Sequence, residues 1–123
     1  IKELDKLLKI AEQVKIDCLV EIHSEAELKE IKDLPNIKII GINNRDLHSF
    51  KVDPNLAEKL KPQIIKAFKH NIVIVAESGY QNTAALNSLA QNNFNAVLIG
   101  EGLIKFPHLW SDFKNGIFKD NNS

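Results

Sequence analysis

Four short apolar segments of this sequence end in, or are followed by, polar and glycine residues of the types that form catalytic and ligand-binding sites. These residues are Glu21, Asn43, the Glu77-Ser78-Gly79 triplet and the Gly100-Glu101-Gly102 triplet. In a parallel sheet the carboxyl ends of neighbouring strands meet at one edge, where α/β proteins build their sites. The spacing therefore predicts one shared cluster of carboxylate, amide, hydroxyl and glycine groups.

The two carboxylates suit proton transfer. Alternate residues of a strand share a face, so Glu21 and Glu77 are predicted to point into one shared opening at the carboxyl edge of the sheet. Because Val20 and Ile22 flank Glu21, we expect its carboxyl group to be partly desolvated, which favours proton transfer near neutrality. For a single strand-end glutamate, a salt bridge or a helix cap is the commoner role. Because all four predicted strands end in polar or glycine residues, a functional site is the favoured interpretation here.

Glycines and the single arginine indicate an anionic ligand. Gly79 and Gly100 follow the last two apolar segments, where backbone N–H groups of a barrel often hold phosphate; the alternative is that both simply make tight turns. Arg45 is the only arginine. Its planar guanidinium can grip a phosphate or carboxylate at two points, although a structural ion pair with Asp46 or another nearby carboxylate is the competing interpretation.

These residues are positioned by alternating helices and strands. Apolar residues spaced as on one helix face predict a first helix, and Ser24 with Glu27 forms a capping box that begins a second helix, extending to about Leu34. Asp53-Pro54 opens a third helix, which Pro62 is expected to end or kink. A fourth spans 83–91, and a last helix contains Phe106, Leu109, Trp110, Phe113 and Ile117. The predicted strands are 18–22, 37–42, 72–76 and 96–100, the third buried on both faces.

Composition limits the class of protein. The 123 residues are 44% hydrophobic and 26% charged, which is typical of one globular domain. Sixteen basic residues balance 16 acidic ones, which argues against a nucleic-acid or anionic-membrane surface. A single cysteine and no membrane-length apolar run favour the cytoplasm. The chain begins at Ile1 and has no methionine, so we expect it to be part of a longer product.

The order α(βα)4 predicts an α/β fold with a parallel sheet. It is compatible with an open doubly wound sheet or with a (β/α)8 barrel. A barrel takes about 250 residues, so this chain would supply about half of one. No Gly-x-Gly-x-x-Gly follows the first strand, which weakens a dinucleotide-binding interpretation.

Four segments resemble the indole-3-glycerol-phosphate synthase family. They are Leu19–His23, Ile40–Leu47, Ala76–Gly79 and Leu98–Glu101, and they occur in the family's order. The Gly-Ile-Asn-Asn-Arg-Asp-Leu stretch is the most specific of them, and it argues against another phosphate-binding barrel such as phosphoribosylanthranilate isomerase. The resemblance implies that residues 1–123 form the C-terminal half of one TIM-barrel domain, helix 4 followed by strands and helices 5 to 8, with a polar tail at 120–123.

The resemblance also implies an activity. The family is a carboxy-lyase of tryptophan biosynthesis that converts 1-(2-carboxyphenylamino)-1-deoxyribulose 5-phosphate to indole-3-glycerol phosphate, CO2 and water, without a metal or organic cofactor. The residues that match its motifs fall into three groups. They are Glu21 and Asn43 as catalytic residues, Arg45, Glu77 and Ser78 as substrate-binding residues, and Gly79, Gly100 and Glu101 as phosphate-binding residues.

Departures from the family pattern are few where the chain matches it. Tyr80 stands where isoleucine is usual, and Gly102 where alanine is usual. The family's essential lysines belong to its first and third strands, and none of this chain's lysines is predicted at a strand end. We therefore expect the isolated chain to be inactive. Because half a barrel leaves two strand edges and an apolar sheet face open, we also expect the isolated chain to self-associate. The expected partners are the N-terminal half of the barrel and a phosphorylated small molecule. The alternative is a truncated, non-catalytic half-barrel that keeps its phosphate-binding loops.

Overall fold

The computed structural model describes residues 1–114, with side chains as far as residue 112. Helices and strands alternate along this part of the chain, as the sequence predicts. The helices are α1 (Lys2–Gln13), α2 (Glu25–Ile31), α3 (Leu56–Ala67), α4 (Thr83–Gln91), α5 (Glu101–Lys105) and α6 (His108–Lys114). The strands are β1 (Leu19–Ile22), β2 (Ile39–Asn43), β3 (Val73–Glu77) and β4 (Ala96–Leu98).

The four strands form one parallel sheet in the order β1-β2-β3-β4. Each strand pairs with the next one along the chain, so every crossover advances in the same direction. A doubly wound sheet instead reverses its strand order at a switch point. The described residues therefore form an α/β structure with a consecutive parallel sheet, the arrangement found in part of a barrel.

One face of this sheet carries the core. Strand residues that point to this face pack against the inner sides of the helices; they include Val20, Ile22, Ile40, Ile42, Ile74 and Ala76. The opposite face is open at several positions, since Leu19, Val73 and Leu98 are each more than two-fifths exposed. The prediction that the third strand is buried on both faces is therefore wrong at Val73, because no described element covers it.

Several local predictions can be compared with the structure. The capping box is confirmed, because the Ser24 side chain accepts a hydrogen bond from the backbone N–H of Glu27, and α2 ends earlier than predicted, at Ile31. The alternative that Pro62 ends α3 early is wrong, since the helix continues to Ala67. Pro62 and Glu58 are exposed, so the carbonyl group that Pro62 leaves without an N–H partner can bind water.

Two helices follow β4: α6 corresponds to the last predicted helix, and the short α5 before it is not predicted. Phe106 and Pro107 separate α5 from α6, and the proline has no backbone N–H group that could continue α5. Leu109 is buried, whereas Trp110 is 54% exposed. The position of Trp110 in the apolar stripe predicts a core residue, and this prediction is wrong. The Phe113 side chain, Ile117 and the 120–123 tail lie outside the described residues. Among the described residues, no helix has the length and apolar character needed to cross a membrane.

Candidate functional site

A cavity of about 480 Å³ lies at the carboxyl edge of the sheet. Its walls come from the ends of all four strands and from the segments that follow β2, β3 and β4. The residues that the sequence singles out all line it: Glu21, Asn43, Arg45, Glu77, Ser78, Gly79, Gly100 and Glu101. Because the strands are parallel and consecutive, residues 80 positions apart in sequence meet at this one edge.

Asn43 joins β1 to the loop after β2. Its Nδ2 donates a hydrogen bond of 2.8 Å to Oε1 of Glu21, and its Oδ1 accepts one of 3.0 Å from the backbone N–H of Arg45. The side chain is buried, and both ends of its amide are engaged. Since an amide does not titrate, Asn43 fixes the direction of the Glu21 carboxyl group without taking its proton.

Glu77 is the carboxyl group that the fold desolvates. It is only 3% exposed, and its buried Oε1 has no hydrogen-bond donor. Desolvation, reinforced by the negative charge of Glu21 and a hydrogen bond between the two carboxyl groups, raises the pKa of Glu77 to about 7, with a smaller opposing effect of the His23 charge. The predicted desolvation of Glu21 by Val20 and Ile22 is wrong, because these neighbours point to the opposite, helix-covered face.

Gly41 makes room for the Glu77 carboxyl group. A Cβ atom at this position would lie 1.8 Å from Oε1 of Glu77, far inside the contact distance of two atoms. The two residues lie on neighbouring strands, where Gly41 pairs with Val75, two positions before Glu77. In the sequence, Gly41 is visible only as an interruption of an apolar segment, so its part in the site depends on the pairing of β2 with β3.

Arg45 forms an ion pair across the mouth of the cavity. Its Nη2 lies 2.8 Å from Oε2 of Glu101, which agrees with the competing interpretation of a structural pair but with a carboxylate far away in sequence. Asp46 does not pair with Arg45; it accepts hydrogen bonds from the backbone N–H groups of His48 and Ser49. Thus Arg45 connects the loop after β2 to the segment after β4.

Lys105 is a cavity residue that the sequence analysis missed. It extends from α5 and forms an ion pair with Oε1 of Glu101. The hydrogen bond and charge of Lys105, and then the charge of Arg45, hold the pKa of Glu101 below its usual range. The spacing of Glu101 and Lys105, four residues apart on a helix, could have indicated the contact. The mouth therefore contains two cations that share one carboxylate.

The segment after β3 has an unusual backbone. Ser78 and Gly79 both have positive φ angles, 65° and 84°. Gly79 also lies close to Val52, whose Cγ1 would be 2.6 Å from an added Cβ, so a side chain at this position would meet both strain and a clash. Gly100, the residue before α5, has open space around it, with no atom within 4 Å of an added Cβ. Its backbone is accessible from the cavity.

Asn44 organises the loops behind the cavity, which the sequence analysis did not predict. Its Nδ2 donates to the carbonyl oxygen of Ser78 at 3.2 Å and to the hydroxyl oxygen of Tyr80 at 2.9 Å. Its Oδ1 accepts from the backbone N–H of Ala57 at 3.0 Å, in the first turn of α3. The side chain of Asn55, at the N-cap position, makes no such bond. Asn44 therefore caps α3 from the segment directly after β2 and supports the positive-φ turn at Ser78.

Consecutive parallel strands with an acid- and amide-lined cavity at their carboxyl ends define a βα-repeat protein of the class that builds enzyme sites at this edge. A family model described as indole-3-glycerol phosphate synthase matches residues 1–114. The chain belongs to the indole-3-glycerol phosphate synthase family.

Individual relatives agree with this assignment. A curated indole-3-glycerol phosphate synthase of Dehalococcoides mccartyi (strain CBDB1) is 41% identical over 102 residues, which are 83% of this chain and 38% of the relative. One of Acaryochloris marina is 40% identical over 105 residues, 85% of this chain and 35% of the relative. One of Prochlorococcus marinus (strain MIT 9515) is 38% identical over 118 residues, 95% of this chain and 40% of the relative. The chain thus spans less than half the length of these relatives.

Proposed function

We propose that this chain contributes to an indole-3-glycerol phosphate synthase, the carboxy-lyase that forms indole-3-glycerol phosphate in tryptophan biosynthesis. The observation that carries the proposal is the convergence of all the residues matched by the family resemblance on one cavity. If the short motifs matched the family only by chance, their residues would not be expected to meet in one cavity from the ends of four strands. A cytoplasmic location is part of the proposal, supported by Cys18, the chain's single cysteine, which cannot form an internal disulfide.

In this proposal the chain is the C-terminal half of a (β/α)8 barrel, and the N-terminal half is its partner. The consecutive strand order supports a barrel over a doubly wound sheet. The open face of the sheet carries Leu19, Val73 and Leu98, apolar side chains that a closed barrel interior would cover. Among the described residues, β1 and β4 each pair with one strand only, which leaves an edge for the partner on each side.

The proposed roles follow from the contacts. Glu21 lines the cavity with its carboxyl group directed by Asn43, which suits a general base in the ring-closing and dehydration steps. Glu77, with a pKa of about 7, is close to half protonated at neutral pH and can give or take a proton while it contacts the substrate. Ser78, beside it, offers a hydroxyl group to the same ligand.

The phosphate group of the substrate is proposed to lie against the segments after β3 and β4. Gly79 and Gly100 allow close approach of the backbone, whose N–H groups can donate to phosphate oxygens. Arg45 and Lys105 place two positive charges at the same mouth, and Glu101 keeps them oriented. Exposed ion pairs contribute little to stability, so an anionic ligand can compete with Glu101 for either cation.

A chimera tests the proposal. Residues 1–114 would replace the matching segment of the Dehalococcoides mccartyi relative, so that the remainder of the barrel comes from that protein. We expect formation of indole-3-glycerol phosphate, followed by the ultraviolet absorbance of the indole ring. Glu21→Gln should lower kcat by about 100-fold or more with little change in KM. Glu30→Gln, an exposed glutamate on α2, serves as the matched control.

Two outcomes would contradict the proposal. A folded chimera without turnover would remove the enzymatic assignment, and if it still bound inorganic phosphate it would favour the non-catalytic half-barrel. A chimera whose turnover is unchanged by Glu21→Gln would leave the activity in place but remove Glu21 from the mechanism. Circular dichroism of each chimera shows that it is folded before its activity is compared.

A further inference from the structure

His23 lies between two carboxylates at the junction of β1 and α2. Its Nε2 is 3.0 Å from Oε1 of Glu21, and its Nδ1 is 3.5 Å from Oε2 of Glu27. The side chain is only 20% exposed. Nε2 is buried and has no aligned hydrogen-bond partner, so its principal interaction is the short approach to Glu21.

The capping box of α2 fixes the ring from behind. The backbone N–H of His23 donates to Oε2 of Glu27, and the backbone N–H of Glu27 donates to the Ser24 hydroxyl. Glu27 is therefore held by backbone groups, independently of the imidazole ring. With one carboxylate in place on its Nδ1 side, the ring is directed so that Nε2 faces Glu21 and, beyond it, the cavity.

We infer that His23 is a positioning residue of the site: its imidazole ring, directed by the capping box of α2, holds the Glu21 carboxyl group in place at the cavity together with the Asn43 amide. This inference rests on the proposed function only for its catalytic consequence. The ion pair and the hydrogen bond from Asn43 both engage Oε1 of Glu21, so the second oxygen is left for other partners.

The charges around Glu77 make the position of His23 measurable. The titratable groups that act on Glu77 are Glu21 and His23; the negative charge of Glu21 raises its pKa and the positive charge of His23 lowers it. The titratable groups beside His23 are Glu21 on β1 and Glu27 on α2.

A merely structural role for His23 makes a different prediction. Its contribution to the helix cap comes from the backbone N–H, which any residue except proline supplies. The variants His23→Ala and His23→Gln therefore keep the cap and are expected to fold. Only the electrostatic and positioning role requires the ring itself.

The experiment is a carboxyl titration by nuclear magnetic resonance of the 123-residue chain, with 13C-labelled glutamate. Loss of the His23 cation should raise the pKa of Glu77 further, by about half a pH unit or more in His23→Ala and in His23→Gln. His48→Ala, which removes an exposed histidine outside the cavity lining, is the matched control and should leave the Glu77 titration unchanged. An unchanged titration in both His23 variants would overturn the inference.

A kinetic readout in the chimera separates this inference from the proposed function. We expect His23→Ala to lower kcat about tenfold with KM changed less than about twofold, and His23→Gln, which restores an N–H donor near Glu21, to recover part of the loss. Equal kcat in all three proteins would contradict the positioning role. If the chimera with His23 intact is inactive, the proposed function fails while the Glu77 titration still decides the role of His23.

Discussion

Glu77→Gln should make the protein more stable at alkaline pH. In the folded chain the pKa of Glu77 is raised from 4.5 to about 7, so between these values the folded state binds a proton that the unfolded state has released. The stabilising contribution of this group is therefore complete below pH 4.5 and disappears as pH rises through 7. Glutamine has nearly the same shape, carries no charge at any pH, and can donate a hydrogen bond to Glu21.

The size of this stability difference follows from the pKa shift of Glu77. Each pKa unit corresponds to about 1.4 kcal/mol, so the shift from 4.5 to about 7 costs the folded state at most about 3 kcal/mol at pH 8. Because Glu77 is only 3% exposed, solvent screens this cost weakly. We expect the free energy of unfolding of Glu77→Gln to exceed that of the unmodified chain by about 1–3 kcal/mol at pH 8 and to match it within about 1 kcal/mol near pH 4.

Urea unfolding between pH 4 and 8 measures this difference. Circular dichroism follows the transition, and two protein concentrations reveal any contribution of self-association. Groups that do not interact with Glu77 affect both proteins alike, so the difference reports on Glu77 together with Glu21 and His23, whose charges act on it. Glu30→Gln, at an exposed glutamate on α2, is the matched control. A difference for Glu77→Gln that does not grow with pH would contradict the raised pKa of Glu77.

Three further predictions concern packing and the open face. Asn44→Ala should lower the free energy of unfolding by about 2–4 kcal/mol in urea unfolding, because it leaves the N–H of Ala57 and the carbonyl of Ser78 without their partner. Gly41→Ala should lower it by about 1–3 kcal/mol in the same assay, since the added methyl group displaces the Glu77 carboxyl group. The 123-residue chain should self-associate in light scattering, and Val73→Asp on the open face should weaken this association.

Matched variants show whether these effects have the stated cause. Asn55→Ala, at the N-cap position of α3 but without a capping bond, should cost less than about 1 kcal/mol. Gly100→Ala adds a methyl group in open space and should also cost less than about 1 kcal/mol. Equal losses in Asn44→Ala and Asn55→Ala, or in Gly41→Ala and Gly100→Ala, would contradict the packing arguments. A clean monomer of 13.9 kDa would contradict self-association.

Much of the element pattern could be predicted because its signals are local. Helix and strand periodicities, the Ser24–Glu27 capping box and the polar residues at strand ends depend on neighbours within a few positions. The errors occur where distant contacts decide. Pro62 remains inside α3, Trp110 lies outside the core, and Val73 is exposed because the second face of the sheet is uncovered. None of these outcomes is encoded within one turn of helix or one strand.

Local sequence was enough to predict which chemical groups are available and which strand ends carry them, since alternation along a parallel strand follows from backbone geometry. It also carried the resemblance to the indole-3-glycerol phosphate synthase family, which the comparison with known proteins confirmed. Three features of the site depend on the fold: the Glu77 carboxyl group is buried against Gly41, Arg45 pairs with Glu101, and Asn44 caps α3. Desolvation, ion pairing and long-range capping depend on residues that the fold brings together from separate strands, so they cannot be read from local spacing.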